Sequence, residues 1–542
     1  MFRHLCLAAL LFGLPLMAEV TLEQIRSKPP CNARNFLIWQ YFDQNITSDE
    51  ADEALYLIRD VNYKMFYAYA DKSARPEVAY TVGCLKMGAA ALGKTKDAGC
   101  AKLGASIGKL SYMPVTDRDR VADLVGDTEL KYAVALLDDG NLSKDYRRYS
   151  PKLFLRVFNE IGTEARHMRF DFIPDYDYLQ QLAVSPGFTA ALKRAINDDG
   201  LQHFAWALTK VDVDALDAET LFYLGLNQLI RGKQPRAVEL FQRARDKAYY
   251  QADKDRALFW QALVSDNDLI WKELAKSWDI NFYSLYAKEK TGTFPDNFYS
   301  QLQTSDKISD INLSDPFVWN DLLEQIGRTP KERLYELAQQ YDAKDLTPLQ
   351  SFIVERASGY RLQGFIMPYD KELVNADTDT KAVVYALMRQ ESRFIPSALS
   401  YSYAMGLMQI MPFLCVAMDN DVDCGRQTFD DMFDPKINLL YALPHVAWLK
   451  QRVYHPLFIA YAYNGGIGFT KRHLLDGTFR PGPFEPFMSM ELMLNAETRE
   501  YGKKVLTNYV IYKHILGEPV SLIDLCRMLL QPTKTDRFRT AK

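Results

Sequence analysis

The sequence predicts an all-α protein of several domains. Residues 20 to about 290 read as one helix after another, with almost none of the apolar–polar alternation that is typical of strands. The C-terminal region has the same helical character. A chain of 542 residues that is 48% hydrophobic and 25% charged has a globular composition and is too long for one ordinary domain. We therefore expect two or three helical domains.

The first 18 residues read as a secretory signal peptide. Arg3 and His4 precede an apolar run over residues 5–17, which is too short to span a membrane durably. The sequence contains no later stretch that is long and apolar enough for a transmembrane helix. We therefore expect a mature protein that is exported and soluble.

Export makes disulfides the expected state of the six cysteines that remain after the signal peptide. Cys31 and Cys526 either pair across the chain or stay reduced. No zinc-type spacing appears and the seven histidines form no ligand cluster, so we expect no metal site. The favoured disulfides are the two local pairs, Cys84–Cys100 and Cys415–Cys424.

Charge differs between the two ends of the chain. Residues 381–542 contain 19 Lys and Arg against 15 Asp and Glu, whereas residues 19–380 contain 45 against 54. A mildly basic C-terminal region suits a polymer that bears carboxylates, but ordinary surface variation explains it equally well. The sequence has no basic stripe or aromatic–basic motif, so nucleic acid is not an expected partner.

One stretch has the spacing of a tetratricopeptide repeat. Gly225 and Ala237 supply small residues where two helices would touch, and Phe241 supplies an aromatic side chain that fills the groove. Trp260 begins what could be a following repeat. The pattern predicts helical hairpins stacked into a curved solenoid, with an ordinary helical bundle as the alternative.

Glu391 is the leading candidate for a catalytic residue. Residues 381–391 predict a helix, with N-cap oxygens available in residues 377–380. Val384, Leu387 and Glu391 fall at i, i+3 and i+7, which predicts that the carboxyl group faces inward. An inward carboxyl loses hydration, so its pKa rises and it can protonate a glycosidic oxygen. The alternative is a structural glutamate that is capped or paired near a helix end.

Four motifs follow one another from Glu391 onward. In order and spacing they resemble the soluble lytic transglycosylases, which cleave peptidoglycan with a goose-lysozyme-like domain. The resemblance is strongest over residues 368–515. The motifs are Glu391-Ser392, Gly406-Leu407-Met408-Gln409-Ile410-Met411-Pro412, Ala462-Tyr463-Asn464 and Glu497-Thr498-Arg499-x-Tyr501.

The resemblance implies a domain order. After a signal peptide at residues 1–18, residues 19–300 would form an N-terminal helical superhelix that is bent into a ring. Residues 301–372 would form a helical linker domain, and residues 373–542 a lysozyme-like α-helical catalytic domain.

The resemblance also assigns roles to residues. Glu391 is the implied catalytic acid, and the other motif residues bind substrate or support the fold. Met408 and Met411 would otherwise be core residues, Tyr463 a buried tyrosine, and Asn464 a helix cap. The implied substrate-binding residues are Ser400, Met408, Gln409, Met411, Tyr463, Asn464 and Glu491. The implied structural residues are Ser392, Gly406, Glu497, Arg499 and Tyr501.

The implied reaction uses one carboxyl group and no cofactor. Members of this family cleave the β-1,4 bond between MurNAc and GlcNAc by attack of the MurNAc 6-hydroxyl, which gives a 1,6-anhydro product. A monomeric periplasmic enzyme that acts on peptidoglycan glycan strands is therefore expected. Two alternatives remain: a hydrolytic lysozyme with the same fold, and a helical-repeat cell-wall binding protein whose catalytic domain is inert.

The chain departs from the family pattern at two places. Tyr403-Ala404 stands where family members usually have Gly-Ala, and Gly465-Gly466-Ile467-Gly468 where they have Ala-Gly-Pro-Gly. Between the motifs, residues 419–425 resemble half of an EF-hand calcium loop. The loop lacks that motif's glycine at position six and glutamate at position twelve, so an acidic loop pinned by a disulfide is favoured over a calcium site. In the same region, Asp434-Pro435 predicts a helix start.

Overall fold

The computed structural model describes residues 19–419, Val422 and 428–540. Within these residues the protein has 33 α-helices and two strands of two residues each, which confirms the predicted all-α class. The predicted signal peptide, Cys424 and most of the acidic loop lie outside the described residues.

The helices follow one another along the whole described chain. Up to residue 290 they are α1 Leu22–Ser27, α2 Asn32–Asp43, α3 Ser48–Leu55, α4 Tyr63–Ala70, α5 Pro76–Lys86, α6 Ala89–Lys94, α7 Ala98–Gly104, α8 Ile107–Ser111, α9 Val115–Val125, α10 Thr128–Asp138, α11 Leu142–Asp145, α12 Pro151–Glu160, α13 Thr163–Phe170, α14 Tyr176–Ala183, α15 Phe188–Ile196, α16 Gln202–Ala207, α17 Ala218–Ile230, α18 Gln234–Lys247, α19 Gln251–Ser265, α20 Asp268–Leu274 and α21 Phe282–Lys290. After residue 290 they are α22 Pro316–Arg328, α23 Leu334–Gln340, α24 Thr347–Ala357, α25 Thr378–Ser392, α26 Pro412–Met418, α27 Pro435–Lys450, α28 Pro456–Gly465, α29 Ile467–Leu475, α30 Phe487–Leu492, α31 Ala496–Ile515, α32 Leu522–Met528 and α33 Pro532–Thr535.

The two strands form one small parallel pair. β1 (Phe298–Tyr299) lies beside β2 (Gln363–Gly364), with Phe298 opposite Gln363. Strands of two residues are too short to show an alternating pattern in the sequence.

The described chain divides into two compact units. The first comprises residues 19–74, Asn297–Ile459 and Asn508–Pro519, and the second comprises Arg75–Asp296, Ala460–Thr507 and residues 520–540. Each unit combines stretches that are far apart in sequence. The three-domain scheme implied by the resemblance stays a prediction.

The predicted helical hairpin is present in the second unit. A Cβ atom on Gly225 of α17 would lie 2.5 Å from the ring of Phe241 on α18, so only glycine allows this close approach. The ring centroid of Phe241 is 5.8 Å from that of Trp260 on α19, and both side chains are fully buried. A small residue on one helix therefore accommodates the aromatic side chain of the next, as the repeat spacing predicts.

The structure confirms one predicted disulfide. Cys84 on α5 and Cys100 on α7 are bonded to each other. Cys31 and Cys526 are buried free thiols. Cys415 is buried on α26, and the predicted Cys415–Cys424 bridge stays a prediction because Cys424 lies outside the described residues. Of the helices in the described ranges, none combines the length and apolar character needed to cross a membrane.

Candidate active site

The helix that carries Glu391 is buried on almost every side. Asp377 caps α25 by accepting a hydrogen bond from the backbone N–H of Thr380 at 2.9 Å, as the sequence predicts. Val384 and Leu387 are fully buried, as the apolar stripe predicts. Residues 382–389 are all buried, however, so this is a core helix rather than an amphipathic helix with one inward face.

Glu391 lies where this core helix ends. It is half-buried and is the penultimate residue of α25. Ser392 accepts a hydrogen bond from the backbone N–H of Phe394 at 3.1 Å through its Oγ. Arg393 and Phe394 have φ angles of 53° and 68°, in the left-handed region, so the chain leaves the helix immediately after the glutamate. The Ser392 hydroxyl therefore stabilises the helix end.

A buried ion cluster holds the same end of α25. The guanidinium of Arg389 donates hydrogen bonds to the carboxylate of Glu355 at 3.0 Å, the backbone carbonyl of Gly364 at 2.8 Å and the side-chain oxygen of Asn508 at 2.8 Å. Arg393 reaches the second oxygen of Glu355 at 3.0 Å. Burial, together with the nearby positive charge of Arg393, lowers the pKa of Arg389 to about 10. This cluster is not among the features predicted from the sequence, although an arginine inside an apolar helix was a signal for it.

The loop after α25 is closed by backbone hydrogen bonds. Met405 and Ile410 exchange two N–H···O bonds of 3.0 Å, and the backbone N–H of Gly406 donates to the carbonyl of Ala398 at 2.8 Å. The side-chain amide of Gln409 donates to the carbonyls of Ala398 and Gly406, both at 2.9 Å. Gln409 is half-buried with a φ of 48°, so its amide group is fixed at the loop edge.

Asn438 holds this loop from within the core. Its side-chain amide, which is fully buried on α27, donates to the carbonyls of Met405 at 3.0 Å and Met432 at 2.9 Å, and its oxygen accepts from the backbone N–H of Met408 at 2.9 Å. Gly406 has a φ of 74°, and a Cβ there would lie 2.3 Å from both the Asn438 amide and the Met432 carbonyl. The structure therefore requires glycine at position 406.

The remaining predicted residues of this unit differ in exposure. Met408 is fully buried, which is the core position given as its alternative, whereas Met411 is half-buried. Ser400 is half-buried, and its hydroxyl oxygen accepts from the backbone N–H of Ala404 at 2.9 Å. A hydroxyl that accepts one hydrogen bond still has a proton to donate. Ser400 and Met411 are therefore better placed for a ligand than Met408.

The described carboxylates near the acidic loop have protein partners. Asp419 accepts from the hydroxyl of Tyr441 at 2.5 Å, and Asp430 accepts from the side-chain amide of Gln40 at 3.2 Å. Asp431 accepts from the backbone N–H of Thr428 at 2.7 Å. Asp434 caps α27 through the backbone N–H groups of Lys436 and Ile437, as predicted. No group of three or more His, Cys, Asp or Glu residues within the described ranges is arranged to hold a metal ion.

Tyr463 and Asn464 belong to the second unit and lie near the end of α28. Both are half-buried. The Asn464 side-chain oxygen accepts from the hydroxyl of Thr498 at 2.8 Å, and its amide donates to the carboxylate of Glu497 at 3.1 Å. Gly466, with a φ of 83°, follows the end of α28. The first residues of α31 therefore orient Asn464.

Glu491, which the resemblance assigns to substrate binding, lies in a buried ion cluster of the second unit. It is 2% exposed, and its carboxylate contacts Arg256 at 2.6 Å, Lys503 at 3.3 Å and the hydroxyl of Tyr283 at 2.5 Å. Burial opposes ionisation, but the adjacent positive charges of Arg256 and Lys503 outweigh it, so the pKa of Glu491 is lowered. These contacts give Glu491 a structural environment, because its carboxylate oxygens already have partners in the protein. The substrate-binding role that the resemblance implies for Glu491 stays a prediction.

Arg499 forms a carboxylate pair, although its partner is not the motif glutamate. Its Nε donates to Glu500 at 2.8 Å, and its Nη1 donates to the backbone carbonyl of Met493 at 3.0 Å. Tyr501 is buried. Glu497, in contrast, is exposed and accepts a hydrogen bond from Asn464. The structural roles of Glu497, Arg499 and Tyr501 stay predictions.

The helix that carries Glu391 and the loop that follows it lie in a region that matches a known protein family. Residues 370–477 match the family profile described as the Transglycosylase SLT domain. These residues of the chain are similar to an SLT domain. This match covers the predicted residues from Glu391 to Asn464, and Glu491 and the Glu497 motif follow it.

Curated relatives of this chain are soluble lytic murein transglycosylases. The protein of Escherichia coli K12 is 24% identical over 211 residues, which are 38% of this chain and 32% of that protein. A putative soluble lytic murein transglycosylase of Haemophilus influenzae is 28% identical over 202 residues, 36% of this chain and 33% of that protein. The matched region thus spans about a third of the length of these relatives. The resemblance stated from the motifs is confirmed.

The fold has a counterpart among solved structures. An inactive variant of the lytic transglycosylase Slt from Pseudomonas aeruginosa aligns with 90% of this chain and 74% of its own, with a TM-score of 0.50 and 16% sequence identity. At this identity the likeness concerns the fold alone. It extends well beyond the SLT domain, into the helices before residue 370.

Proposed function

We propose that the protein is a lytic transglycosylase that cleaves the β-1,4 bond between MurNAc and GlcNAc in peptidoglycan, in cell-wall turnover or remodelling. The position of Glu391 carries this proposal. This residue is half-buried at the end of a core helix, inside the region that matches the SLT domain. The curated relatives that share this region are named soluble lytic murein transglycosylases.

In the proposed reaction, Glu391 acts first as an acid and then as a base. Its proton goes to the bridging oxygen as the bond from that oxygen to C1 of MurNAc breaks, and the 2-acetamido group assists at C1. The MurNAc 6-hydroxyl then attacks C1 and returns its proton to Glu391. No water is consumed, so the glycan ends in 1,6-anhydroMurNAc and the enzyme is regenerated.

The contacts of the other acidic residues favour this route over hydrolysis. An inverting hydrolase needs a second carboxylate to activate water, and a retaining one needs a second carboxylate as nucleophile. The described candidates Asp419, Asp430 and Asp431 each accept a hydrogen bond from the protein, and Asp434 caps a helix. The tethered 6-hydroxyl has a much higher effective concentration at C1 than an unactivated water has.

The buried cluster supports the proposed role of Glu391 through the backbone. Arg389 and Glu355 tie the end of α25 to the segment around Gly364, which limits the movement of Glu391 two residues further on. Preorganisation of this kind reduces the reorganisation needed in the transition state. In this proposal Gln409, Ser400 and Met411 contact the glycan. The substrate-binding roles that the resemblance implies for Tyr463 and Asn464 stay predictions.

We also propose that the protein works as a periplasmic monomer. The Cys84–Cys100 disulfide supports an oxidising compartment, because such bonds are rare in reducing cytoplasm. Peptidoglycan lies outside the cytoplasmic membrane, so a cell-wall enzyme has to be exported. The predicted signal peptide at residues 1–18 would provide the route.

Digestion of isolated peptidoglycan tests the proposed function. The wild-type protein is expected to release soluble muropeptides, and the Glu391→Gln variant is expected to fold normally and release almost none, because an amide cannot donate the proton. Circular dichroism and urea unfolding establish that the variant is folded. Release by a well-folded Glu391→Gln variant at the wild-type rate would exclude Glu391 as the acid. Absence of release by the wild-type protein would favour the inert binding module.

A further inference from the structure

The loop that carries Ser400 is held by the N-terminal segment of the same compact unit. Asn32 donates hydrogen bonds through its Nδ2 to the backbone carbonyls of Leu399 at 3.2 Å and Ser400 at 3.1 Å. Asn62 donates to the carbonyl of Tyr401 at 2.9 Å. The next carbonyl also has a donor from this segment, since the Lys64 ammonium group lies 3.0 Å from the oxygen of Ser402. Four consecutive carbonyls therefore have donors from three side chains more than 330 positions earlier in the chain.

Aromatic packing fixes the next residue of the loop. Tyr403 is fully buried, and its ring centroid is 5.4 Å from that of Phe36 and 5.5 Å from that of Trp39, both on α2. Its φ of 64° lies in the left-handed region that favours glycine. Family members usually have glycine here, so this chain keeps a glycine-like backbone and adds a ring that is packed against its N-terminal helix.

We propose that Asn32, Asn62 and Lys64 are positioning residues of the substrate site, and that they hold residues 399–403 so that Ser400 meets the glycan. This inference rests on the proposed function for the nature of the substrate. The carbonyl side of the loop binds the N-terminal segment, and the Ser400 oxygen accepts from Ala404, so the hydroxyl proton stays available to a sugar oxygen. The N-terminal segment is thus a working part of the site, although it lies outside the SLT match.

Asn32, Asn62 and Lys64 together are called the clamp, and substitutions of these residues in the full chain test its role. Asn32→Asp replaces two amide donors by a carboxylate that repels the carbonyls, while a negative charge in the first turn suits the start of α2. Asn62→Asp does the same at Tyr401, and its oxygen can still cap α4 by accepting from Met65, which Asn62 does at 2.8 Å. Lys64→Met removes a donor that Lys64→Arg keeps.

Asn35→Asp is the matched control. Asn35 is also buried on α2, but its amide group bonds within the N-terminal segment: it donates to the backbone carbonyl of Asp60 at 3.2 Å and accepts from the backbone N–H of Arg59 at 3.1 Å. We expect Asn35→Asp to lower stability without changing affinity for the glycan.

The first readout is amide hydrogen exchange over residues 400–406, which is independent of activity. Exchange in this loop is expected to accelerate in Asn32→Asp and Asn62→Asp and to stay at the wild-type rate in Asn35→Asp. The second readout is binding and turnover of a soluble GlcNAc–MurNAc oligomer. We expect Kd and KM to rise about tenfold in Asn32→Asp, with kcat within about twofold of wild type. The reason is that the carboxylate loses both hydrogen bonds and repels the two carbonyls, which changes the position of the loop.

Two further pairs of variants separate positioning from general destabilisation. Lys64→Arg is expected to bind the oligomer as the wild type does, and Lys64→Met more weakly. Tyr403→Phe keeps both ring contacts and is expected to retain affinity, whereas Tyr403→Gly removes them and is expected to lose it.

Three outcomes would overturn the proposal. The first is unchanged loop exchange in both asparagine variants. The second is faster exchange with unchanged Kd and KM, which would limit the clamp to a structural role. The third is a wild-type protein that does not bind the oligomer. A wild-type protein that binds the oligomer without cleaving it would instead refute the proposed function, and the affinities of the variants would still decide the role of the clamp.

Discussion

Arg389, two residues before Glu391, forms an ion pair of 3.0 Å with Glu355, and the side chains of both residues are 5% exposed. The same Glu355 carboxylate accepts from the backbone N–H of Gly364 at 2.9 Å and pairs with Arg393. One buried carboxylate therefore joins both arginines at the end of α25 to the segment that contains β2. The position of the proposed acid depends on this pair.

Removal of the negative charge from this cluster should destabilise the fold and reduce activity. Glu355→Gln leaves Arg389 buried without its counter-charge, so we expect the free energy of unfolding to fall by about 3–5 kcal/mol. Urea unfolding measures the loss, and muropeptide release measures the activity. The matched control is Glu324→Gln at the exposed Glu324–Arg328 pair, for which we expect a change below about 1 kcal/mol. Equal stability of the two variants would contradict the role given to Glu355.

Gly406 should tolerate no side chain. Gly406→Ala places a Cβ 2.3 Å from a backbone carbonyl and from the Asn438 amide, so the loop that carries Gln409 has to move. We expect at least a tenfold loss of muropeptide release, because misplacement of about 1 Å at a catalytic site can cost a hundredfold in rate. Gly232→Ala is the control, since Gly232 has a similar φ of 72° and nothing within 4 Å of its Cβ position. Comparable activity in both variants would show that crowding at Gly406 is unimportant.

Glu491 should act on stability and leave glycan affinity unchanged. Glu491→Gln removes the charge that balances Arg256 and Lys503 in a buried cluster, so we expect a loss of about 3–5 kcal/mol in the free energy of unfolding. Glu497→Gln, at an exposed position, is expected to change it by less than about 1 kcal/mol. Unfolding experiments and KM for a soluble oligomer separate the two roles. A raised KM with wild-type stability would return Glu491 to the substrate site.

Cys415 is predicted to be oxidised with Cys424. The bridge would close a short loop just after Met411, and its reduction is expected to lower the free energy of unfolding by about 2–4 kcal/mol. Thiol labelling of the unfolded, unreduced protein should modify Cys31 and Cys526, which are free, and leave Cys415 unmodified. Labelling of Cys415 before reduction would refute the bridge.

Local features of the site could be predicted from the sequence. Capping by Asp377 and Asp434 and the helix around Glu391 depend on residues within a few positions of each other. The extent of burial was predicted less well. An apolar stripe indicates one inward face, but α25 is buried all round because neighbouring segments also cover its other sides.

Contacts between distant segments could not be predicted from one sequence. Asn438 binds a loop 30 positions earlier, and Asn32 binds carbonyls 367 and 368 positions later. No periodicity carries such information, because a polar residue in a helix is more often solvated than buried. Tyr403 gave a partial signal, since it replaces a usual glycine, but only the structure shows its positive φ and its packing against α2.

Digestion of peptidoglycan in water enriched in ¹⁸O tests the central claim most directly. Attack by the MurNAc 6-hydroxyl uses no water, so the wild-type protein should give early muropeptides that end in 1,6-anhydroMurNAc, lighter by one water than hydrolytic fragments and free of ¹⁸O. Mass analysis of unreduced fragments at early times detects both properties, and a hydrolytic muramidase provides the labelled control. Early fragments that carry ¹⁸O at reducing MurNAc ends would contradict the transglycosylase reaction and establish a lysozyme.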